Sequence, residues 1–168
     1  MTDDIARPGH CSVEIFRRTI PGRIHVDYFV AEGAPGGGPA PDPNPVDIIS
    51  WDQEYVVYVD ITLEDSVRRH FCGSLCVDLD VDTCGPAPDL QFEEKTVELD
   101  PCGPGTYRLA FRLPANTFRP PPGYPNRCGR VYRICVTIGS HDSCGNPGLI
   151  WGHCDSLEIA VHPPVPVN

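Results

Sequence analysis

Apolar residues recur at every second position in several parts of this chain, and this pattern constrains the fold more than any other feature of the sequence. In residues 55–63 every second side chain is apolar, and residues 22–30, 71–81, 106–113 and 131–138 repeat the pattern. A period of two is the repeat of a β-strand with one buried face. No stretch of useful length follows the helical period of 3.6. The alternation therefore predicts an all-β chain.

The number of such segments points to the architecture. Residues 13–20 and 157–161 also read as strands, and residues 90–99 change phase near Glu94, which indicates a β-bulge. About eight strands with one apolar face and turn-rich connections are typical of two packed antiparallel sheets. We therefore predict a single antiparallel β-sandwich of the jelly-roll or immunoglobulin-like type.

The chain is expected to form one domain with two short flanking segments. Its 168 residues divide into an N-terminal arm (1–11), the β-sandwich domain (12–162) and a proline-rich C-terminal tail (163–168). Two long connections, residues 31–45 and 114–127, are too rich in glycine and proline for regular structure. We interpret them as surface crossings. The alternative for residues 114–127 is a polyproline II ligand for an SH3-like partner.

Cysteine is the second constraint, because the chain has nine of them and nine is an odd number. At least one thiol must stay free, ligate something, or bond to another molecule. A chain of this size can bury an ordinary core, so it does not need disulfides merely to fold. Cys11, which precedes the first clear strand segment, is the candidate for the unpaired cysteine.

Three cysteines are predicted to point away from the core. The alternation places Cys72, Cys76 and Cys135 on the strand faces opposite the apolar residues. Residues four apart on a strand are roughly 13 Å apart, whereas a disulfide needs Cα atoms within about 7 Å. Cys72 and Cys76 therefore need separate partners on another strand, arm or chain.

The remaining cysteines lie at predicted strand ends, and most of them precede a glycine. We expect Cys84 to pair with Cys102, closing a loop of about 18 residues that contributes about 3 kcal/mol. Cys144 is expected to bridge a hairpin to Cys154. Eight cysteines allow roughly a hundred connectivities, so these pairings rest on position alone. The full set of predicted disulfide cysteines is Cys11, Cys72, Cys76, Cys84, Cys102, Cys128, Cys135, Cys144 and Cys154.

Metal binding is the competing use of cysteine and histidine. Two groups combine these residue types: His70, Cys72, Cys76 and Cys84, and His141, Cys144, His153 and Cys154. Neither contains the Cys-x2-Cys spacing of zinc sites. Asp78, Asp80 and Asp82 lie about 6.6 Å apart along one strand, which is typical of a solvated acidic stripe and not of a calcium cage. We predict no metal site and no cofactor.

The net charge and the hydropathy of the chain limit the classes of partner that it is expected to bind. The chain has 23 acidic and 13 basic residues, and its net charge of −10 repels nucleic acid and anionic lipid. No stretch approaches about 20 apolar residues, so membrane insertion is not expected. The acidic start, MTDDIARPGH, has no apolar core of a signal peptide. We expect an extracellular or surface-exposed protein, which is either a mature form that begins with a new Met or a protein that is made in a cytosol and oxidised later.

Catalytic motifs are not found. The sequence contains no G-x-S-x-G, H-E-x-x-H, P-loop or G-x-G-x-x-G pattern. Ser143 follows His141 and Asp142, but adjacent side chains project apart, so this is a polar turn and not a triad. The sequence predicts that the chain is not an enzyme.

Three aromatic residues form an alternative kind of site. Trp51, Tyr124 and Trp151 are candidates for a platform on which a sugar ring stacks. Aromatic side chains at such places also occur in the core or rim of a sandwich. The platform is the basis of the alternative function, a β-sandwich binding module for carbohydrate or a protein surface.

The main functional prediction rests on the number and the placement of the cysteines. We expect a structural subunit that self-assembles with copies of itself into a disulfide-reinforced filament, coat or virion-like assembly. If Cys11 is unpaired, residues 1–11 form an arm that reaches a neighbouring subunit, where Cys72, Cys76 or Cys135 receives it. Such a contact propagates head to tail.

Overall fold

Strands account for most of the described chain. The computed structural model describes residues 9–15, 22–33, 45–83, 89–120 and 130–165. In chain order the elements are β1 Gly9–Ile15, β2 Ile24–Glu32, β3 Ile48–Ser50, β4 Tyr55–Leu63, α1 Asp65–Arg68, β5 Gly73–Thr83, β6 Leu90–Gln91, β7 Lys95–Leu99, β8 Thr106–Leu113, β9 Arg130–His141, β10 Pro147–Cys154 and β11 Leu157–His162. The predicted all-β class is confirmed.

The first sheet, sheet A, is antiparallel throughout and has the order β1, β2, β4, β8. β2 pairs with β4 along its entire length, from Ile24 opposite Leu63 to Glu32 opposite Tyr55. β8 continues the sheet on the other side of β4 without a register shift. The regular alternation read from the sequence therefore corresponds to long, unbroken ladders.

The second sheet, sheet B, is built around β9. β5 pairs with one side of β9, while β10 and β11 share the other side. Beyond β5 lie β6 and β7, and beyond β11 lies β3, which runs parallel to it. The described pairings are thus mostly antiparallel.

β1 belongs to both sheets. Gly9 and His10 pair with β2 of sheet A, and the next five residues, from Cys11 to Ile15, pair with β10 of sheet B. Gly9 to Cys11 were assigned to an N-terminal arm, and in the structure they are part of this strand. One strand therefore holds the two sheets together at their edge.

The inward side chains of both sheets join in one hydrophobic core. Tyr28 of sheet A is fully buried there, and its hydroxyl lies within hydrogen-bonding distance of two carbonyl oxygens, that of Ile134 in sheet B at 3.0 Å and that of Asp155, to which its one proton can donate. Burial raises the pKa of Tyr28, so the hydroxyl keeps its proton. A polar bond therefore links the sheets through an apolar core.

Several elements differ from the prediction. Residues 90–99 form two short strands, β6 and β7, separated by residues 92–94, and not one strand with a bulge. β3, β10 and α1 were not predicted. Most of the two long connections and the last part of the tail lie outside the described residues. No helix in the described part of the chain is long and apolar enough to cross a membrane.

Candidate functional site

A disulfide between Cys11 and Cys154 corrects the predicted role of both cysteines. The two residues are directly opposite each other on β1 and β10, and Cys154 is fully buried in the core. The prediction that Cys11 is unpaired and reaches a neighbouring subunit is wrong, because its sulfur is bonded within its own chain. The predicted bond from Cys144 to Cys154 is wrong for the same reason, and Cys144 is a free thiol.

Three exposed free thiols lie at one end of the molecule. Cys72 immediately precedes β5, Cys102 lies in the turn after β7, and Cys144 lies in the turn after β9. Gly73 is opposite Leu99 at this end of β5, and Ser74 is opposite His141. We call Cys72, Cys102 and Cys144 the thiol end.

A small cavity confirms that these segments meet. It has a volume of about 160 Å³ and is lined by Cys72, Leu99 and Asp142, among others. Cys84 and Cys128 lie outside the described residues. Cys102 is a free thiol, so the predicted bond from Cys84 to Cys102 is wrong.

Cys76 has the predicted orientation but not the predicted exposure. It is on the outer face of β5, yet only 7% of it is exposed, because its neighbours on the sheet cover it. Its Sγ lies 3.0 Å from Nδ1 of His141. Burial, and then the carboxylate of Glu94, raises the pKa of the Cys76 thiol. A raised pKa keeps the thiol protonated, which is the opposite of what a nucleophilic cysteine requires.

Cys135 is in a similar environment further along the same face. It is half-buried and directly opposite Asp80. Burial and the carboxylates of Asp82 and Asp80 raise the pKa of its thiol. Both outer-face cysteines are therefore less reactive than an ordinary exposed thiol.

The centre of the outer face of sheet B holds a row of five directly opposed residues. The row crosses β7, β5, β9, β10 and β1, and it consists of Thr96, Cys76, Gly139, Trp151 and Glu14. We call it the Trp151 row. Half of the Trp151 side chain is exposed, at 50%. A Cβ placed on Gly139 would meet no atom within 4 Å, so the face is open between Trp151 and Cys76.

Polar side chains flank this opening. The adjacent row on the same face consists of Asp78, Thr137, His153 and Ser12. Neighbouring strands are about 4.8 Å apart, so Thr137 and His153 are the members of this row nearest to a small ring placed between Trp151 and Gly139. Burial and the nearby carboxylate of Glu94 raise the pKa of Asp78. An aromatic side chain next to an open floor with hydrogen-bonding neighbours is the general composition of a ligand site.

The other two predicted stacking residues do not extend this face. Trp51 lies in the turn between β3 and β4, where it is half-buried and packs against the core. Its backbone N–H donates to the carbonyl of His162. Tyr124 lies outside the described residues. Of the three predicted residues, the structure places Trp151 on the open face.

Metal ligands do not converge in the described part of the chain. No group of three or more histidine, cysteine, aspartate or glutamate side chains there is placed to hold a metal ion. Asp78, Asp80 and Asp82 follow one another along β5, each opposite a different residue of β9.

Comparison with known proteins supports the fold. No family model matches the chain, and no curated protein is similar to it in sequence. Among solved structures, the C-terminal domain of wzt matches with a TM-score of 0.51 and 11% identity, covering 98% of this chain and 89% of that one. A β-glucosidase from Listeria innocua, solved with gluconolactone, matches with a TM-score of 0.44 and 12% identity, covering 84% of this chain and 17% of that one. The wzt domain shows a shared fold, and the second likeness is too weak to carry a conclusion.

Proposed function

We propose that the chain is a non-catalytic β-sandwich binding module and that its ligand is a neutral carbohydrate bound on the outer face of sheet B. The observation that carries this proposal is the Trp151 row, in which an exposed indole lies beside Gly139, where no side chain covers the sheet. The sandwich itself, of jelly-roll or immunoglobulin-like type, is supported by the single core that the inward side chains of both sheets form.

The chemistry of the face favours a sugar. An aromatic ring offers an apolar surface to the C–H side of a sugar ring, while hydroxyl, carboxylate and imidazole groups hydrogen-bond the sugar hydroxyls. Thr137 and His153 provide such groups beside Trp151, and Thr96 provides another at the far end of the same row. Anionic sugars are disfavoured, because the net charge is −10 and Asp78 and Glu14 lie on the same face.

Replacing Trp151 tests the proposal directly. We expect neutral oligosaccharides, such as gluco-, manno- and chito-oligomers, to change the intrinsic tryptophan fluorescence of the wild type. Trp151→Ala is expected to weaken binding by about tenfold to a hundredfold, the usual cost of removing an aromatic anchor. Calorimetric titration of the responding oligosaccharide provides the affinity.

Two further variants control this experiment. Ile48→Ala removes an exposed apolar side chain at the edge of the same sheet, on β3, and should leave the affinity unchanged. Gly139→Leu fills the open surface beside Trp151, and should abolish binding while the circular dichroism spectrum stays native. If Trp151→Ala binds as tightly as the wild type, or no neutral oligosaccharide binds, the proposal is wrong.

The second candidate function is assembly through disulfides between subunits, and the thiol end is the observation that favours it. A compartment that oxidises Cys11 and Cys154 also oxidises exposed thiols. Cys72, Cys102 and Cys144 are exposed and free. Two copies that meet at their thiol ends would be joined by disulfides that resist heat and denaturant until a reductant is added.

Gel mobility tests this second function. After treatment with oxidised glutathione, the wild type should give multimers on a non-reducing gel and monomer on a reducing gel. The triple variant Cys72→Ser, Cys102→Ser, Cys144→Ser should lose those multimers, whereas Cys135→Ser, which removes a half-buried thiol, should keep them. A wild type that stays monomeric after oxidation, or a triple variant with an unchanged ladder, would exclude the thiol end.

A further inference from the structure

β8 is the edge strand of sheet A. It pairs with β4 over eight consecutive residue pairs, from Thr106 opposite Thr62 to Leu113 opposite Tyr55. In the part of the chain that the structure describes, no strand pairs with the other side of β8. Its sequence, TYRLAFRL, contains no proline, lysine or glycine that would interrupt a further ladder.

The hydrogen-bonding pattern identifies the free backbone groups. The N–H of Leu63 donates to the carbonyl of Gly105 at 2.8 Å, so these two residues form a hydrogen-bonded pair at the start of the ladder. In antiparallel strands such pairs alternate with pairs whose backbone groups point away from each other. The backbone N–H and C=O groups that point to the open side of β8 therefore belong to Thr106, Arg108, Ala110 and Arg112.

The charges that usually protect an edge strand are already neutralised here. Arg108 donates to both carboxylate oxygens of Asp60, at 2.6 and 2.7 Å. Arg112 donates to both carboxylate oxygens of Glu54, each at 2.7 Å. The two arginines of β8 are thus paired within their own sheet, and they do not present free charge to an approaching strand.

The same strand from a second copy can pair with this edge in a register centred on Leu109. When the twofold axis passes through Leu109, Arg108 lies opposite Ala110 of the second copy and Arg112 lies opposite its Thr106. A shift of two residues in either direction places an arginine opposite an arginine. An arginine and its carboxylate partner need more room than a small side chain leaves them to share, so the crowding of two such pairs at one cross-strand position favours the register centred on Leu109.

The inner face of β8 favours the same register. Leu109 would lie opposite Leu109 of the second copy, and Tyr107 opposite its Phe111. Tyr107 and Leu109 are only half-buried in the single chain, so the second copy would cover apolar surface that now borders solvent. Aromatic cross-strand pairs add a further stabilising contact.

We infer that β8 binds β8 of a second copy of this chain, antiparallel about a twofold axis at Leu109, and that the two copies of sheet A form one continuous sheet. Such an isologous contact closes on itself and yields a dimer, not a chain of subunits. It uses backbone hydrogen bonds, so it requires neither the thiol end nor a carbohydrate.

A proline substitution tests the hydrogen bonds of the interface. The N–H of Ala110 points to the open side, so Ala110→Pro removes a donor to the second copy and leaves the ladder with β4 intact. With free thiols alkylated by iodoacetamide, the wild type should sediment with twice the mass of the chain. Ala110→Pro should dissociate at roughly tenfold higher concentration or more. The matched control Ala110→Val keeps the N–H and should remain dimeric.

A cysteine at the axis gives a second, independent measurement. Leu109→Cys places two thiols opposite each other at a pair without mutual backbone bonds, where Cα atoms are about 4.5 Å apart. Oxidised glutathione should link the peptide of residues 109–112 to its own copy, as mass spectrometry after trypsin digestion would show. A monomeric wild type, an Ala110→Pro variant as dimeric as Ala110→Val, or the absence of this linked peptide would overturn the inference.

Discussion

A Cys11→Ala variant is expected to unfold with about 4–5 kcal/mol less free energy than the wild type. The disulfide closes a loop between residues 143 positions apart. In the chain-entropy account a crosslink destabilises the unfolded state more as the loop grows, and a loop of this length corresponds to about 5 kcal/mol. Domains of this kind are stable by about 5–15 kcal/mol, so the loss removes a large share of the total.

Denaturant unfolding followed by circular dichroism measures this loss. Reduction of the wild type with dithiothreitol should lower the unfolding midpoint to that of Cys11→Ala. Cys144→Ala removes a free, exposed thiol and should change the free energy by no more than about 0.5 kcal/mol. Equal midpoints for Cys11→Ala and the oxidised wild type would show that the bond does not form.

Gly73→Ala is expected to cost about 3 kcal/mol or more, for two reasons that add. Gly73 has a φ of +111°, which L side chains rarely adopt. A Cβ there would also lie 2.2 Å from the backbone carbonyl oxygen of His141, and a backbone atom cannot move aside as the end of a side chain can. The substitution should therefore separate the start of β5 from the end of β9.

Gly139→Ala is the matched control for this prediction. Gly139 lies on the neighbouring strand, and its added Cβ would meet nothing within 4 Å. Alanine in a strand loses less backbone entropy than glycine, so the variant should be as stable as the wild type or more stable by up to about 1 kcal/mol. Thermal unfolding of both variants makes the comparison. If they melt at the same temperature, the strain at Gly73 has been overestimated.

Sequence alternation was a good guide wherever every second residue of a strand is apolar and points into the core. β4 and β8 begin and end where the alternation of residues 55–63 and 106–113 begins and ends. Both strands lie in long ladders without register shifts, so each side chain follows the period of two. Their pairing partners were not predictable, because alternation fixes a face and not a neighbour.

β10 shows why other strands were missed. Its inward positions include Gly152, where an added Cβ would lie 2.9 Å from Cγ2 of Val13 and 3.0 Å from the backbone oxygen of Ser12, so the close approach of β1 favours a glycine. A glycine at an inward position interrupts the apolar pattern on which strand prediction relies. Without β10, Cys154 could not be recognised as a buried residue opposite Cys11, and the wrong cysteine was assigned as unpaired.

The candidate site was predictable in part, because alternation assigns a residue to a face of its strand but does not give the register between strands. Trp151 was identified as an aromatic candidate, and the alternation placed Cys76 and Cys135 on the outer face. The row through Gly139 depends on the register of five strands, which a single sequence does not contain. The covering of Cys76 by His141 and Glu94 likewise comes from neighbouring strands and loops that are distant in sequence.

The bond between the first and tenth strands also has a consequence for biosynthesis. Cys11 leaves the ribosome long before Cys154, and at 5–20 residues per second the delay is roughly 7–30 s. Seven other cysteines are translated in that interval. During that time β1 can pair with β2, but its partner in the second sheet does not yet exist. Correct oxidation therefore depends on keeping Cys11 reduced, or on reshuffling early bonds, until the last quarter of the fold has been made.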